Sequence, residues 1–199
     1  MVGARLRRRA PGVVVGAALL LAMIALAIAA PLVAGDPIRP DVEHGLDADG
    51  APLAPSSARL LGTDDLGRDV WARLAFGGRR SLVIAGAATA LAVAMGAAVG
   101  VVAGLRGGAT DAIAMRLVDA ALALPAILVA AFVAVALRAS GVDADLAAVL
   151  TLASLGWGAI ARVVRARVRT VAASDFVLAA RAIGAGPLRI ATRSEERRV

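Results

Sequence analysis

Ser81-Leu-Val-Ile-Ala-Gly-Ala-Ala-Thr-Ala-Leu-Ala-Val-Ala-Met-Gly96-Ala-Ala-Val-Gly100-Val-Val-Ala-Gly104-Leu105 contains no charged residue. It exceeds the about 18 apolar residues that mark a candidate membrane-spanning helix. A buried helix of a soluble domain is seldom that long and apolar on every face. Gly96, Gly100 and Gly104 recur at four-residue spacing, which puts them on one helical face where a neighbouring helix can approach closely. Two readings are open for that face: a packing surface inside a multi-helix core, or the chance spacing of an Ala/Gly-rich chain.

Three further stretches have the same character: Val13 to about Ala34, about Leu117 to Leu137, and about Leu146 to Val164. The first reaches about 33 Å as a helix, enough to cross a hydrocarbon core. The fold class expected is therefore all-α, a polytopic transmembrane helical bundle with four spans. Composition agrees. The 199 residues are 60% hydrophobic but only 3% aromatic, and mean hydropathy is +0.81. The apolar mass is Ala, Val, Leu and Gly, which suits helices packed closely in lipid.

The net charge is +7, carried entirely by arginine, since the chain has no lysine. A strongly basic chain raises nucleic-acid binding as a possibility. Here the arginines flank apolar runs, the distribution of a membrane protein, so no nucleic-acid partner is expected and membrane lipid is. Arg5, Arg7, Arg8 and Arg9 precede the first span, and Arg162, Arg165, Arg167 and Arg169 follow the fourth. The positive-inside rule puts both ends in the cytoplasm, which an even number of spans permits. Arg79 and Arg80 fall outside, against the rule, where they can snorkel to headgroups. Four segments follow: residues 1–34, the cytoplasmic N-terminus and first span; 35–80, an extracytoplasmic loop; 81–164, a three-span core; and 165–199, a cytoplasmic loop and short tail. The N-terminus has a second reading, a cleavable signal peptide, with Ala27-Ile28-Ala29 as the cleavage region. Its apolar run is longer than the usual core of such a signal.

No cysteine and a single histidine, His44, leave no apparent metal-ligand cluster and no nucleophile–base pair. Neither a catalytic site, a metal nor a cofactor is expected. Arg106 to Asp111 reads as a tight turn, and Ser140-Gly141 with Asp143 and Asp145 as an external one. In the third span, Arg116 and Asp119 stand three apart and can pair on one helix. A paired structural charge and a proton relay are both open for Asp119, the first favoured because no second acid lies deeper in any span. Pro125 removes a backbone donor and is expected to kink that helix.

Two segments outside the spans are distinctive. In Leu61-Gly-Thr63-Asp64-Asp-Leu-Gly67-Arg68-Asp69-Val70, Thr63 or Asp64 can cap a short amphipathic helix. Leu66, Val70 and Leu74 would share its apolar face, and Trp71 suits the membrane interface. Asp64, Asp65 and Asp69 lack the spacing of a calcium loop. After the fourth span, Ser174 to Ile183 reads as a helix capped by Ser174, with Asp175 at the positive end of its dipole. Gly184 can end it in the left-handed conformation, and a second short helix would run from Leu188 to about Arg193. Such a helix pair can dock in a groove of a partner, or be an ordinary surface segment.

Together these motifs resemble ATP-binding-cassette importer permeases for dipeptides, oligopeptides and nickel, in particular the C-type of the two permease subunits. The resemblance rests on Leu61 to Val70, Arg73-Leu74, Gly77 to Leu82, Gly107-Gly108, Asp111, Met115-Arg116, Asp119, Pro125 and the stretch Trp157 to Arg162. Asp175 to Ile190 resembles that family's EAA loop, with Ala179, Ala180 and Gly184 at the motif's core beside Arg181. It implies a subunit of the plasma membrane that is not an enzyme. It also implies partners: a second permease subunit, two cytoplasmic ATP-binding subunits and an extracytoplasmic solute-binding protein. Leu178 stands at the motif's glutamate position. The family pattern has six spans, whereas Ser194-Glu-Glu-Arg-Arg-Val199 starts no further apolar run. The expectation is a C-terminally truncated chain, and a non-transporting remnant or interaction protein is the alternative to a working permease.

Overall fold

In the computed structural model, residues 11–184 are described. Six helices follow one another: α1 (Pro11–Val33), α2 (Val70–Arg106), α3 (Gly108–Ala123), α4 (Ala126–Ala139), α5 (Ala144–Ala172) and α6 (Asp175–Ala182). Among the described residues there is no strand, only two isolated antiparallel bridges in the loop between α1 and α2. Three helices, α1, α2 and α5, are long and apolar enough to cross a membrane, and a fourth crossing exists if α3 and α4 count as one broken span. The all-α polytopic expectation is met on both counts.

The chain divides into two compact units, Met1–Ile84 and Ala85–Val199, with the boundary inside α2. In the first unit, α1 carries exposed Val14, Leu19, Leu21 and Ile28, as a lipid-facing helix should, and buries Ala27 and Ala30. Pro31 sits in its last turn, so the intrahelical hydrogen bond it cannot make falls at the end of the helix. The loop that follows is dense with side-chain-to-backbone bonds.

That loop departs from the amphipathic helix expected over Thr63, Asp64, Gly67, Arg68 and Asp69. Helix α2 begins only at Val70. Asp64 instead closes a turn: its Oδ1 accepts from the N–H groups of Leu66 and Arg68, both at 3.0 Å. Gly67 takes φ +71° inside that turn, a left-handed value that no helix accommodates. The capping residue is Asp69, whose Oδ1 accepts from Trp71 N–H at 2.8 Å. The buried face of the first turns of α2 is Ala72 and Ala75, while Leu66 and Leu74 are exposed.

In the second unit α5 is the hub, packed against α3, α4 and α6. It also runs alongside α2 at backbone contact. A side chain at Gly96 would meet the Trp157 carbonyl oxygen at 2.6 Å, one at Gly100 the Ala161 carbonyl oxygen at 2.6 Å, and one at Gly104 the Val168 side chain at 2.7 Å. The paired numbers rise together, so α2 and α5 run parallel. Against α3 they fall: Gly158 lies by Val118 and Leu122, and Arg165 by Asp111. Helices α3 and α5 are therefore antiparallel.

The third apolar stretch is more sharply broken than a kink. Helices α3 and α4 meet at 94°. Leu124, preceding Pro125, is extended (φ −76°, ψ 138°), the conformation that a following proline imposes. Helix α3 also starts earlier than expected. The turn foreseen over Arg106 to Asp111 shrinks to Gly107, with φ +63°, and Asp111 already lies in the first turn of α3.

Candidate functional site

Helix α6 and the end of α5 that carries it are the candidate. Only Ala173 and Ser174 separate the two helices. The link is hydrogen-bonded throughout: Ser174 N–H donates to the Val171 carbonyl, and Val177 N–H to the Ser174 carbonyl at 3.0 Å. The Ser174 hydroxyl does not cap α6 as expected. It donates back to the Val171 carbonyl at 2.6 Å, tying the link to α5. Val177 is buried, and α6 packs on α5. Phe176, Ala179 and Ile183 are exposed. Spaced by three and four residues, they fall along one side of a helix. Asp175 occupies the first turn, and Gly184 follows with φ +84°, the left-handed value expected of it. Ala180 and Arg181 lie within α6 as expected. The second short helix, from Leu188 to Arg193, lies outside the described residues.

The end of α5 is gripped from two sides. On one side is the Gly96, Gly100 and Gly104 face of α2, so the chance reading of that spacing is set aside. On the other side are ion pairs to α3. Arg165 engages Asp111 bidentately, Nε to Oδ1 and a terminal nitrogen to Oδ2, both at 2.5 Å. Arg169 adds a contact to the same Oδ2 at 3.3 Å.

Arg162 reaches Asp119 at 2.5 Å. Asp119 therefore pairs with α5 and not, as expected, with Arg116 on its own helix. The cause is the antiparallel packing of α3 on α5, which brings the two helices' charges together in register. The sequence held a usable signal for this: Asp111 and Asp119 are eight apart, Arg162 and Arg169 seven, two matching charged edges on adjacent helices.

An apolar groove of about 550 Å³ opens between α2, α3 and α5, lined among others by Val99, Val102, Ile113, Leu117 and Trp157. It presents no charged group. Among the described residues no cluster of three or more metal-ligating side chains occurs.

The loop before α2 is a second organised region. Thr63 is buried. Its hydroxyl donates to the Gly45 carbonyl at 2.6 Å and accepts from Leu53 N–H at 2.7 Å. Arg59 bridges the Gly67 carbonyl at 3.0 Å and Asp41 at 2.7 Å. Asp64 holds Arg68 at 2.8 Å and also pairs with Arg73. The hydrogen bond from Arg59 holds the Asp41 carboxyl below its ordinary range, and that from Arg68 does the same for Asp64. Thr63, Asp64, Gly67, Arg68 and Asp69 are thus brought together, but as a knot and not along a helix.

Residues 96–194 match the family described as the binding-protein-dependent transport system inner membrane component. The chain is 40% identical over 133 residues to a putative peptide permease protein of Brucella abortus, which is 67% of this chain and 43% of the relative. It is 36% identical over 140 residues to the oligopeptide transport system permease protein OppC of Bacillus subtilis, 70% of this chain and 45% of that protein. To the dipeptide transport system permease protein DppC of Bacillus subtilis it is 37% identical over 138 residues, 69% and 42% of the two chains. The chain therefore spans under half the length of these curated relatives.

Proposed function

The chain belongs to the binding-protein-dependent transport system inner membrane component family and is a multi-pass membrane protein; from that membership we propose that it is the membrane-spanning permease subunit of an ATP-binding-cassette importer for peptides. The observation that carries this is α6. It is a short helix fixed to the end of a spanning helix, inside the family match, with Phe176, Ala179 and Ile183 left exposed. Peptide is preferred over nickel because the relatives' names say peptide.

In this reading the arginine-flanked ends are cytoplasmic, α3 and α4 together make one crossing, and the loop before α2 faces outward. Helix α6 seats in a groove of a cytoplasmic ATPase subunit. Two such subunits, a second permease subunit and an extracytoplasmic solute-binding protein complete the assembly. The chain itself does not hydrolyse ATP. It has no lysine, and so no Gly-x-x-x-x-Gly-Lys-Ser/Thr loop to cradle phosphates. Its work is mechanical: closure of the ATPases displaces α6, and the bundle exchanges outward for inward access.

The left-handed turn at Gly184 supplies the test. Proline there fixes φ near −65° and cannot adopt the observed turn. In a complex reconstituted with its ATPases, Gly184→Pro is expected to abolish peptide uptake while ATP hydrolysis continues. Undiminished uptake would exclude the coupling role.

A further inference from the structure

Asp111 is the one charged residue buried among the described residues. Both of its oxygens are taken by α5: Oδ1 by Arg165, and Oδ2 by Arg165 and Arg169. Arg165 also touches α2 with its backbone. A side chain at Gly100 would come within 3.0 Å of the Arg165 nitrogen, and one at Gly104 within 3.2 Å of its carbonyl oxygen. Three helices therefore meet at one residue, with its backbone on α2 and its side chain on α3.

The position of that junction matters. Arg169 is six residues before Asp175, the first residue of α6, and the two linking residues, Ala173 and Ser174, both donate their N–H groups to the last turn of α5. At its other end α3 runs to the break at Leu124 and Pro125. Apolar contacts between helices let one surface slide over another at little cost. A bidentate arginine–carboxylate pair fixes both separation and orientation, and it tolerates no slip when its acid is buried.

We propose that Asp111 is a positioning residue for coupling: it locks α3 to the end of α5, so that a load on α6 reaches the broken span at Pro125. The proposal rests on the permease reading and adds to it the joint through which force leaves α5. Asp119 with Arg162 is a weaker second tie, since both side chains are more than half exposed.

The chain has no cysteine, so labels can be placed without background. Spin labels at Ala112→Cys on α3 and Val171→Cys on α5, in the full chain in lipid bilayers, report whether the two ends move together. A single narrow distance is expected with Asp111 present, and a broadened one in Asp111→Asn. The double variant Asp111→Arg with Arg165→Asp should recover the narrow distance. In complexes with the ATPase subunits, Asp111→Asn should lower uptake at least about fivefold while ATP hydrolysis is retained. A merely structural residue would lower both together.

Where Asp111→Asn does not accumulate, Arg165→Lys keeps the charge but loses the fork, and it should broaden the distance likewise. An unchanged distance in these variants, or equal loss of uptake and hydrolysis, overturns the proposal. If no ATPase binds the unmodified chain, the permease reading fails, while the label distance still decides whether Asp111 ties α3 to α5.

Discussion

The α2–α5 contact and the loop between α1 and α2 are both well ordered by specific residues, but by opposite means. The helix pair uses the absence of side chains. Gly96, Gly100 and Gly104 let two backbones touch, because helices in lipid gain nothing from hiding apolar surface and must gain it from close packing. The loop uses side chains as backbone. Thr63, Asp64, Arg59 and Asp41 supply the hydrogen bonds that a segment without helix or strand would otherwise leave to water. The two regions should therefore fail under different substitutions and different solution conditions.

The largest effect is expected at the helix pair. Gly100→Val would place its side chain against the Ala161 carbonyl oxygen and the Arg165 backbone, neither of which can yield as a side chain tip would. A loss at the upper end of about 1–3 kcal/mol is expected, seen as a lowered midpoint of denaturation in mixed micelles. A midpoint equal to that of the parent would mean the helices do not touch there.

Next comes the loop. Thr63→Val keeps the shape but strands the Gly45 carbonyl and the Leu53 N–H, a cost of about 1–2 kcal/mol. Hydrogen exchange should quicken at residues 45–70 and nowhere in α5. Spread of the effect into α5 would erase the contrast between the regions. Smaller again is Asp119→Asn. Its pair with Arg162 is exposed on both sides, so a change under about 1 kcal/mol is expected.

The least effect at neutral pH is that of proton uptake. Asp41 and Asp64 are held below the ordinary aspartate range by Arg59 and Arg68. A lowered folded-state value means that their contribution is complete above the unfolded value, about 3.9, and is lost as pH falls below it through the folded values. Exchange protection in the loop should hold from pH 7 to about pH 4 and fall only in stronger acid, whereas the α2–α5 contact should show no such dependence. Loss of loop protection already at pH 6 would contradict the assignment of these pairs.

The regions also differ in how far the sequence disclosed them. Among the described residues, apolar run length located the three helices long enough to span, because the bilayer imposes a length on the chain before any tertiary contact forms. The glycine face was legible in part: spacing puts the three glycines together, but only the contact with α5 separates a packing face from chance. The knot around Thr63 was not, since Asp64 can start a helix or close a turn with the same atoms. Gly67 decided between them by a left-handed backbone angle that no local apolar pattern reveals. Pro125 announced an interruption, but not its size, 94°. Asp119 can pair with Arg116 by i, i+3 spacing alone, whereas its pairing with Arg162 shows in the sequence only once α3 and α5 are set antiparallel and their charged edges compared.

The most direct test of the central claim is a cross-link from α6. Ala179→Cys, placed on an exposed position of an otherwise cysteine-free chain, should form a specific adduct with the ATP-binding subunit when the two are co-expressed in membranes. Adduct yield should change when ATP is bound. Failure of Ala179→Cys to cross-link, while a control cysteine in the loop before α2 cross-links to the same subunit, would contradict α6 as the docking element and with it the assignment of the chain's working end.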